Sequence, residues 1–281
     1  MSVLYMDKVS KVYDNHMVVD ELNIQINKGE IYGLLGPSGS GKTTTIRMLT
    51  GETRPNEGDI EVMSFKNEQL FSSHYKKRIG ILSDNSALYE RLSVYDNLRV
   101  YTDLYNVHPS RIKEVLTFVD LEGESKTIVK NLSKGMKQRI LLAKCLIHKP
   151  DFLFLDEPTS ALDPHTTAHI HAGLMKLKSE GVTIFLTTHD MEEAEKLCDR
   201  ISLIHNGKLI ETDTPQALRY RYSNHTVVVE MISGEIVNLE LIPENAEQMS
   251  VLMKSGKIKR INTNELSLSE VFILLTGKEL I

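Results

Sequence analysis

Ile31-Tyr32-Gly33-Leu34-Leu35-Gly36-Pro37-Ser38-Gly39-Ser40-Gly41-Lys42-Thr43 is the stretch that decides the architecture. Residues 31–35 form an unbroken apolar run, the pattern of a strand buried on both faces. A glycine-rich loop follows, and 44–49 read as a helix closed by Gly51. Buried strand, Gly-x-x-x-x-Gly-Lys-Thr and helix, in that order, make a phosphate-binding loop. Its glycines let backbone N–H groups converge on phosphate oxygens. The start of the helix adds the positive end of its dipole. Lys42 is placed to reach β- and γ-phosphates, and the Thr43 hydroxyl to ligate Mg²⁺. Residues Gly36 to Gly41, with Lys42, Thr43 and Thr44, are the candidate nucleotide contacts.

A second acidic strand complements the loop. In Asp151-Phe152-Leu153-Phe154-Leu155-Asp156-Glu157 four apolar residues bury a strand whose far end presents two carboxylates. In a parallel α/β sheet that end is where ligands bind. Asp156 fits a Mg²⁺-holding role, and Glu157 a water-positioning or general-base role. His189 ends the next strand, 183–188, and is placed to meet the γ-phosphate and the Glu157 region. A histidine in that position is also compatible with a plain surface residue.

The rest of the chain reads outward from these strands. In 18–26, Val18, Asp20, Leu22, Ile24 and Ile26 share one face of a strand ending in a hairpin-like turn at Lys28-Gly29-Glu30. Short strands are expected at 59–64 and 79–82. From 93 to 148 the character becomes helical. Ser93 is an N-cap for a helix carrying Val94, Leu98, Tyr101 and Leu104, Pro109 opens a second helix, and a third spans 134–148 before Pro150. Strand–helix alternation then returns, with a helix at 164–180. Asn206-Gly207 between 200–205 and 208–212 is a type I′ hairpin signal. Beyond about residue 221 come two strands, 227–231 and 236–241, a helix, a strand near Ile258 and a last helix. That helix opens on the capping box Ser267-Leu268-Ser269-Glu270.

Composition narrows the function classes. The 281 residues are 41% hydrophobic and 25% charged, with a formal charge of −5. That mild acidity gives no general attraction to nucleic acid or anionic lipid. No apolar run approaches the roughly 18–20 residues of a membrane span, and the first residues lack the pattern of a signal peptide. Two cysteines, Cys145 and Cys198, lie in helix-like segments and read as reduced core thiols. The expected location is cytoplasmic.

Asn131-Leu132-Ser133-Lys134-Gly135-Met136-Lys137-Gln138-Arg139 stands at the mouth of a helix just before the acidic strand. It resembles the signature motif of ABC-type ATPases, normally Leu-Ser-Gly-Gly-Gln. Ser133 and Gly135 match, whereas Lys134 and Met136 depart. Ser133 and the N–H groups after it form a second anion site at a helix start. Ser160-Ala161-Leu162-Asp163 is similar to that family's D-loop, and the resemblance covers roughly 2–220. It implies an α/β P-loop NTPase core of the RecA-like kind, an N-terminal antiparallel β subdomain and a helical insertion at about 85–149. A small α+β appendage at 221–281 completes the expected division, after an ATPase domain at 1–220.

The resemblance also implies function. ABC-type cassettes hydrolyse Mg-ATP, and two of them sandwich two nucleotides head to tail, each loop facing the other chain's Ser133 segment. Tyr13 matches the aromatic residue that stacks on adenine; a core tyrosine is the other reading. The chain is most similar to ATPase subunits of bacterial exporters for drugs and antimicrobial peptides, whose permease is a separate polypeptide. The expected partners are that permease and a second, identical cassette, with no nucleic acid. The expected place is the inner face of the cell membrane. A non-transport ABC-type ATPase acting on ribosomes or DNA is the rival; such relatives usually carry two cassettes, long insertions or basic linkers.

Three features need separate weighing. The family's Mg²⁺-binding glutamine after the strand 79–82 aligns with Asp84, a shorter and charged residue. His165, His169 and nearby His171 lie at helical spacing, which reads either as a metal pair or as a solvated face. Tyr89, Tyr95, Tyr101 and Tyr105 fit either local packing or a groove gripping a permease helix.

Overall fold

The computed structural model describes residues 1–83 and 86–277. It divides into two compact units, Met1–Thr212 and one beginning at Asp213.

The first unit opens with β1 (Ser2–Tyr13) and β2 (His16–Asn27), an antiparallel pair. Next come β3 (Ile31–Leu35), α1 (Lys42–Leu49), β4 (Glu57–Val62), β5 (Phe65–Lys66), the short α2 (Ser73–Lys76) and β6 (Ile79–Leu82). The helical segment contains α3 (Val94–Tyr105), α4 (Arg111–Phe118) and α5 (Lys134–Leu146). Alternation resumes with β7 (Phe152–Asp156), α6 (Pro164–Ser179), β8 (Thr183–Thr188), α7 (Met191–Leu197), β9 (Arg200–His205) and β10 (Lys208–Asp213).

Two sheets result. One runs β2-β1-β4-β5, the other β10-β9-β3-β8-β7-β6. From β9 through β6 the larger sheet is parallel. Every residue of β3, β7 and β8 is buried. Tyr32, Phe185 and Phe154 stand in register across these strands, Tyr32 stacked on Phe185 with ring centroids 5.9 Å apart. They share one hydrophobic core with Leu4, Met6, Ile24 and Ile26 of the antiparallel sheet. The aromatic row is therefore the floor on which the N-terminal sheet rests, and burying such side chains is the dominant favourable term.

The alternation expected in 18–26 is broken. Val19, Leu22, Ile24 and Ile26 are buried, whereas Val18 and Asp20 are only partly so. Glu21 sits at φ 50°, and the pairing shifts between Val9↔Leu22 and Lys11↔Val19. A bulge adds one residue to a strand and flips the face presented beyond it. The turn at Lys28-Gly29-Glu30 is likewise no hairpin, because β2 and β3 belong to different sheets. By contrast Asn206 and Gly207 both have positive φ, as a type I′ turn requires.

The helical segment follows its caps. Ser93 Oγ accepts from Asp96 N, and Ser133 Oγ from Met136 N. The four tyrosines divide: Tyr89 and Tyr95 are exposed, Tyr101 is half-buried under Lys144 Nζ, and Tyr105 stacks on His148 with centroids 4.1 Å apart. Both cysteines are free and buried.

The second unit holds α8 (Pro215–Tyr222), β11 (Thr226–Met231), β12 (Ile236–Glu240), α9 (Ala246–Lys254), β13 (Ile258–Thr263) and α10 (Leu268–Thr276). Its antiparallel sheet, β12-β11-β13, buries Val227, Val229 and Met231 against Met249 and Leu252 of α9. α8 packs on α10, and Arg219 Nε donates to Leu266 O. The contact boundary accordingly lies before α8, eight residues ahead of the boundary expected at 220. The capping box at Ser267 and Glu270 is present.

His148 links the end of α5 to β6 through a 2.9 Å bond from Nε2 to Ile79 O, and its buried Nδ1 has no partner. Burial, helped by Arg111, holds its pKa below the ordinary 6.5 against the pull of the Ile79 carbonyl. The folded state therefore takes up the proton later than the unfolded chain on acidification. Stability from this site is complete above pH 6.5 and is lost as pH falls from there through the lower folded-state value. His148→Phe, which keeps a ring against Tyr105, is expected to show a smaller drop in Tm between pH 7.5 and 5.5 than the parent, measured by thermal denaturation.

Candidate functional site

The carboxyl ends of β3, β7 and β8 lie side by side, because these strands are parallel neighbours in the order β3-β8-β7. That places the loop after Leu35, the Asp156-Glu157 pair and His189 at one edge of the sheet.

The loop 36–43 curls back on itself so that Lys42 Nζ donates to Gly36 O at 2.6 Å and Pro37 O at 3.1 Å. Glycine is required at two places. At Gly36 a Cβ would sit 2.2 Å from Ile204 O and 2.8 Å from Ser40 Oγ. At Gly41, φ is 110° and a Cβ would sit 2.8 Å from Val18 O. Lys42 is buried, with Nζ 3.9 Å from Glu157 Oε1. Burial lowers the pKa of its ammonium group, while Glu157 and Asp156 act in the opposite direction.

Asp156 is held from two sides. Thr43 Oγ1 donates to its Oδ2 at 2.8 Å, and Thr187 Oγ1 donates to Oδ1. Glu157 follows at φ 49°, a conformation that costs roughly 1–3 kcal/mol in a residue other than glycine. Its N–H donates to Thr187 O at 3.0 Å, and its Oε2 lies 2.8 Å from His189 Nδ1. Lys42, Thr43, Asp156, Glu157 and His189 are thus joined by direct contacts.

The other sequence candidates lie around this centre. Pro37, Ser38, Gly39 and Ser40 belong to the loop itself; Ser38 and Gly39 are exposed, and Thr44 is part of the first turn of α1. Tyr13 ends β1, exposed, with Lys11 Nζ 4.9 Å from its ring centroid. Ser133 is exposed as the N-cap of α5. A Cβ on Gly135 would sit 2.9 Å from Ala161 O, so the start of α5 packs on the D-loop-like turn of the same chain. Asp163 caps α6, accepting from Thr166 N, and Thr166 holds its carboxyl below the usual range. Asp84 lies outside the described residues.

Sequence reading missed Thr187 and Gln138 as parts of the site. The amide Nε2 of Gln138 lies 3.5 Å from Glu157 O. Two adjacent threonines at the carboxyl end of a mostly apolar strand were the available signal for Thr187. The histidines go elsewhere: His169 bonds Phe118 O and His171 bonds Glu193. Among the described residues no group of three or more His, Cys, Asp or Glu side chains could hold a metal ion.

The residues fit a nucleotide phosphate and its Mg²⁺. Ser40 Oγ is buried without a partner beside the Gly36 cradle, and an orphaned donor there matches an anionic ligand. Thr43 and Asp156 form a hydroxyl–carboxylate pair of the hard oxygen type Mg²⁺ prefers.

A P-loop, an acidic strand end and a capped signature-like helix define a nucleoside-triphosphate-hydrolysing cassette. Residues 19–160 match the family model for ABC transporters. The fluoroquinolones export ATP-binding protein of Mycobacterium tuberculosis is 36% identical over 265 residues, covering 92% of this chain and 87% of that one. The Nod factor export ATP-binding protein I of Cupriavidus metallidurans is 34% identical over 302 residues, covering 99% of each. Among solved structures, a dimeric ATP-binding cassette in a post-hydrolysis state with ADP and Pi superposes with a TM-score of 0.70 at 26% identity. It covers 75% of this chain and 98% of its own. The chain belongs to the ABC transporter family and is its ATP-hydrolysing, ATP-binding component.

Thr187→Val keeps the shape of the side chain but removes a donor from the buried Asp156 carboxyl. The expected loss is about 1–3 kcal/mol of stability, read from urea unfolding, with Thr187→Ser recovering most of it.

Proposed function

We propose that this chain powers the export of a drug, peptide or lipid-like substrate through a permease carried on a separate polypeptide. The observation that carries this reading is the contact chain Lys42–Glu157–His189 with Thr43–Asp156 beside it, in a protein whose relatives along nearly its whole length are export ATP-binding proteins.

The roles follow from the chemistry of each group. Loop N–H groups between Gly36 and Thr43, with the Lys42 ammonium, would bind the nucleotide phosphates. Thr43 and Asp156 would hold Mg²⁺, with Asp84 as a further ligand. Bound Mg²⁺ supplies neutralisation of charge on the phosphate oxygens. Glu157 is the candidate base that takes a proton from water at its carboxylate, and His189, 2.8 Å away, holds that carboxylate in orientation. Lys42 withdraws from the Gly36 and Pro37 carbonyls toward the phosphates, exchanging neutral acceptors for charged ones. Tyr13 offers an exposed ring to adenine.

The segment with the exposed Ser133 and the half-buried Gly135 is assigned to the nucleotide of a second, identical cassette. The exposed Tyr89 and Tyr95 are assigned to the permease. Among the described residues no helix is long and apolar enough to cross a membrane. In this reading the permease holds the chain at the inner membrane face, with no nucleic acid involved. The unit beginning at Asp213 is assigned to regulation or pairing of the cassettes.

Lys42→Ala is expected to weaken binding of a fluorescent ATP analogue by at least about tenfold, since a charge-assisted bond is worth about 1.5–3 kcal/mol. Unchanged affinity removes Lys42 from its role. Glu157→Gln is expected to retain nucleotide but lower turnover by about 100-fold or more. It should also accumulate a dimer that light scattering detects only with Mg-ATP. Co-purification of a polytopic membrane protein with tagged chain tests the transport reading itself.

A further inference from the structure

One buried carboxyl group lies beside the site without belonging to it. Glu193, in the first turn of α7, has its side chain only 3% exposed. Its Oε1 accepts from Thr159 Oγ1 at 2.5 Å and from His171 Nε2 at 3.1 Å. A single oxygen therefore ties three elements together. Thr159 lies in the turn after β7, two residues past Glu157. His171 lies on α6. Glu193 lies on α7, which starts at the cap Asp190 directly after His189.

That arrangement bears on the distance between Glu157 and His189. β7 and β8 remain paired only as far as Asp156↔Thr187. Beyond that pair, the two loops are joined by Glu157 N to Thr187 O, by the Glu157–His189 contact and by Thr159 to Glu193. The Glu157 turn is closed within itself by Ser160 N to Glu157 O and Leu162 N to Thr159 O, so it moves as one piece. On the other side, Asp190 Oδ1 accepts from Glu192 N and Glu193 N, and Asp190 N donates to Thr188 Oγ1, fixing α7 to the end of β8. Each loop is thus rigid in itself, and the Thr159–Glu193 bond links them.

We infer that Glu193 is a positioning residue for hydrolysis: through Thr159 it sets the separation of Glu157 and His189, with His171 fixing its own rotamer. The inference rests on the assignment of Glu157 as the base. It predicts a fault in turnover, not in nucleotide capture, because Glu193 contacts neither Lys42 nor the phosphate loop.

The test uses the full chain and compares kcat and KM for ATP in Thr159→Val, Glu193→Leu and Glu193→Gln. Thr159→Val and Glu193→Leu are expected to lower kcat by about 10- to 100-fold, the effect of misplacing a catalytic group by about 1 Å. KM and fluorescent-nucleotide affinity should stay within about twofold. Glutamine keeps an acceptor oxygen at the shared position, so Glu193→Gln should recover kcat to within about threefold. Wild-type kcat in Thr159→Val overturns the inference, and so does an equal loss of kcat and nucleotide affinity in all three. If Glu193→Leu does not fold, Thr159→Val decides. Glu157→Gln run in parallel separates the two claims. Full activity there refutes the base assignment, whereas its loss beside a normal Thr159→Val refutes only the role of Glu193.

Discussion

The carboxyl group of Asp156 is the point on which the site turns. One oxygen accepts from Thr43 at the start of α1 and the other from Thr187 at the end of β8. Polar groups at the end of a fully buried strand must be paired, or their desolvation goes uncompensated. Here pairing also does geometric work, joining the phosphate loop to two central strands through one residue. Everything that has to meet at the sheet edge is then referred to a single rigid frame.

Rigidity on that frame allows strain next to it. Glu157 adopts a left-handed backbone conformation that few non-glycine residues occupy, and its N–H still finds Thr187 O. Such outliers persist only where the surroundings over-determine them. The result turns the Glu157 side chain toward Lys42 on one side and His189 on the other. Lys42 is desolvated yet remains next to acidic partners, and its Nζ donates to the carbonyls of Gly36 and Pro37.

The remaining elements serve the same edge from a distance. The aromatic row of Tyr32, Phe185 and Phe154 gives the antiparallel sheet its seat, and that sheet carries Tyr13. The helical segment presents Ser133 as an exposed cap while Gly135 packs on Ala161, so the signature-like helix and the D-loop-like turn are one surface of the chain. The second unit has its own sheet and its own core.

The local chemistry was legible in the order of residues. Short apolar runs such as 31–35 and 152–155, each closed by a glycine-rich or acidic turn, read as strands covered on both faces. The Gly-x-x-x-x-Gly-Lys-Thr loop and the capping residues Ser93, Ser133 and Ser267 act over a few positions, so their spacing along the chain carries their meaning. What the order of residues did not disclose are effects created by neighbours far away in sequence. The bulge at Glu21 left Leu22, Ile24 and Ile26 on the expected face but turned Val19 inward in place of Val18 and Asp20, because register is set by the partner strand. α8 joined the second unit because α10 supplies its packing surface. Thr187 became a partner of Asp156, and Glu193 of Thr159, only because parallel strand order brings β7 and β8 side by side. Sequence determined which groups can do the chemistry, since that depends on residue type and short-range geometry. Tertiary structure decided which of them touch, since a hydrogen bond depends on distances that only the folded sheet defines.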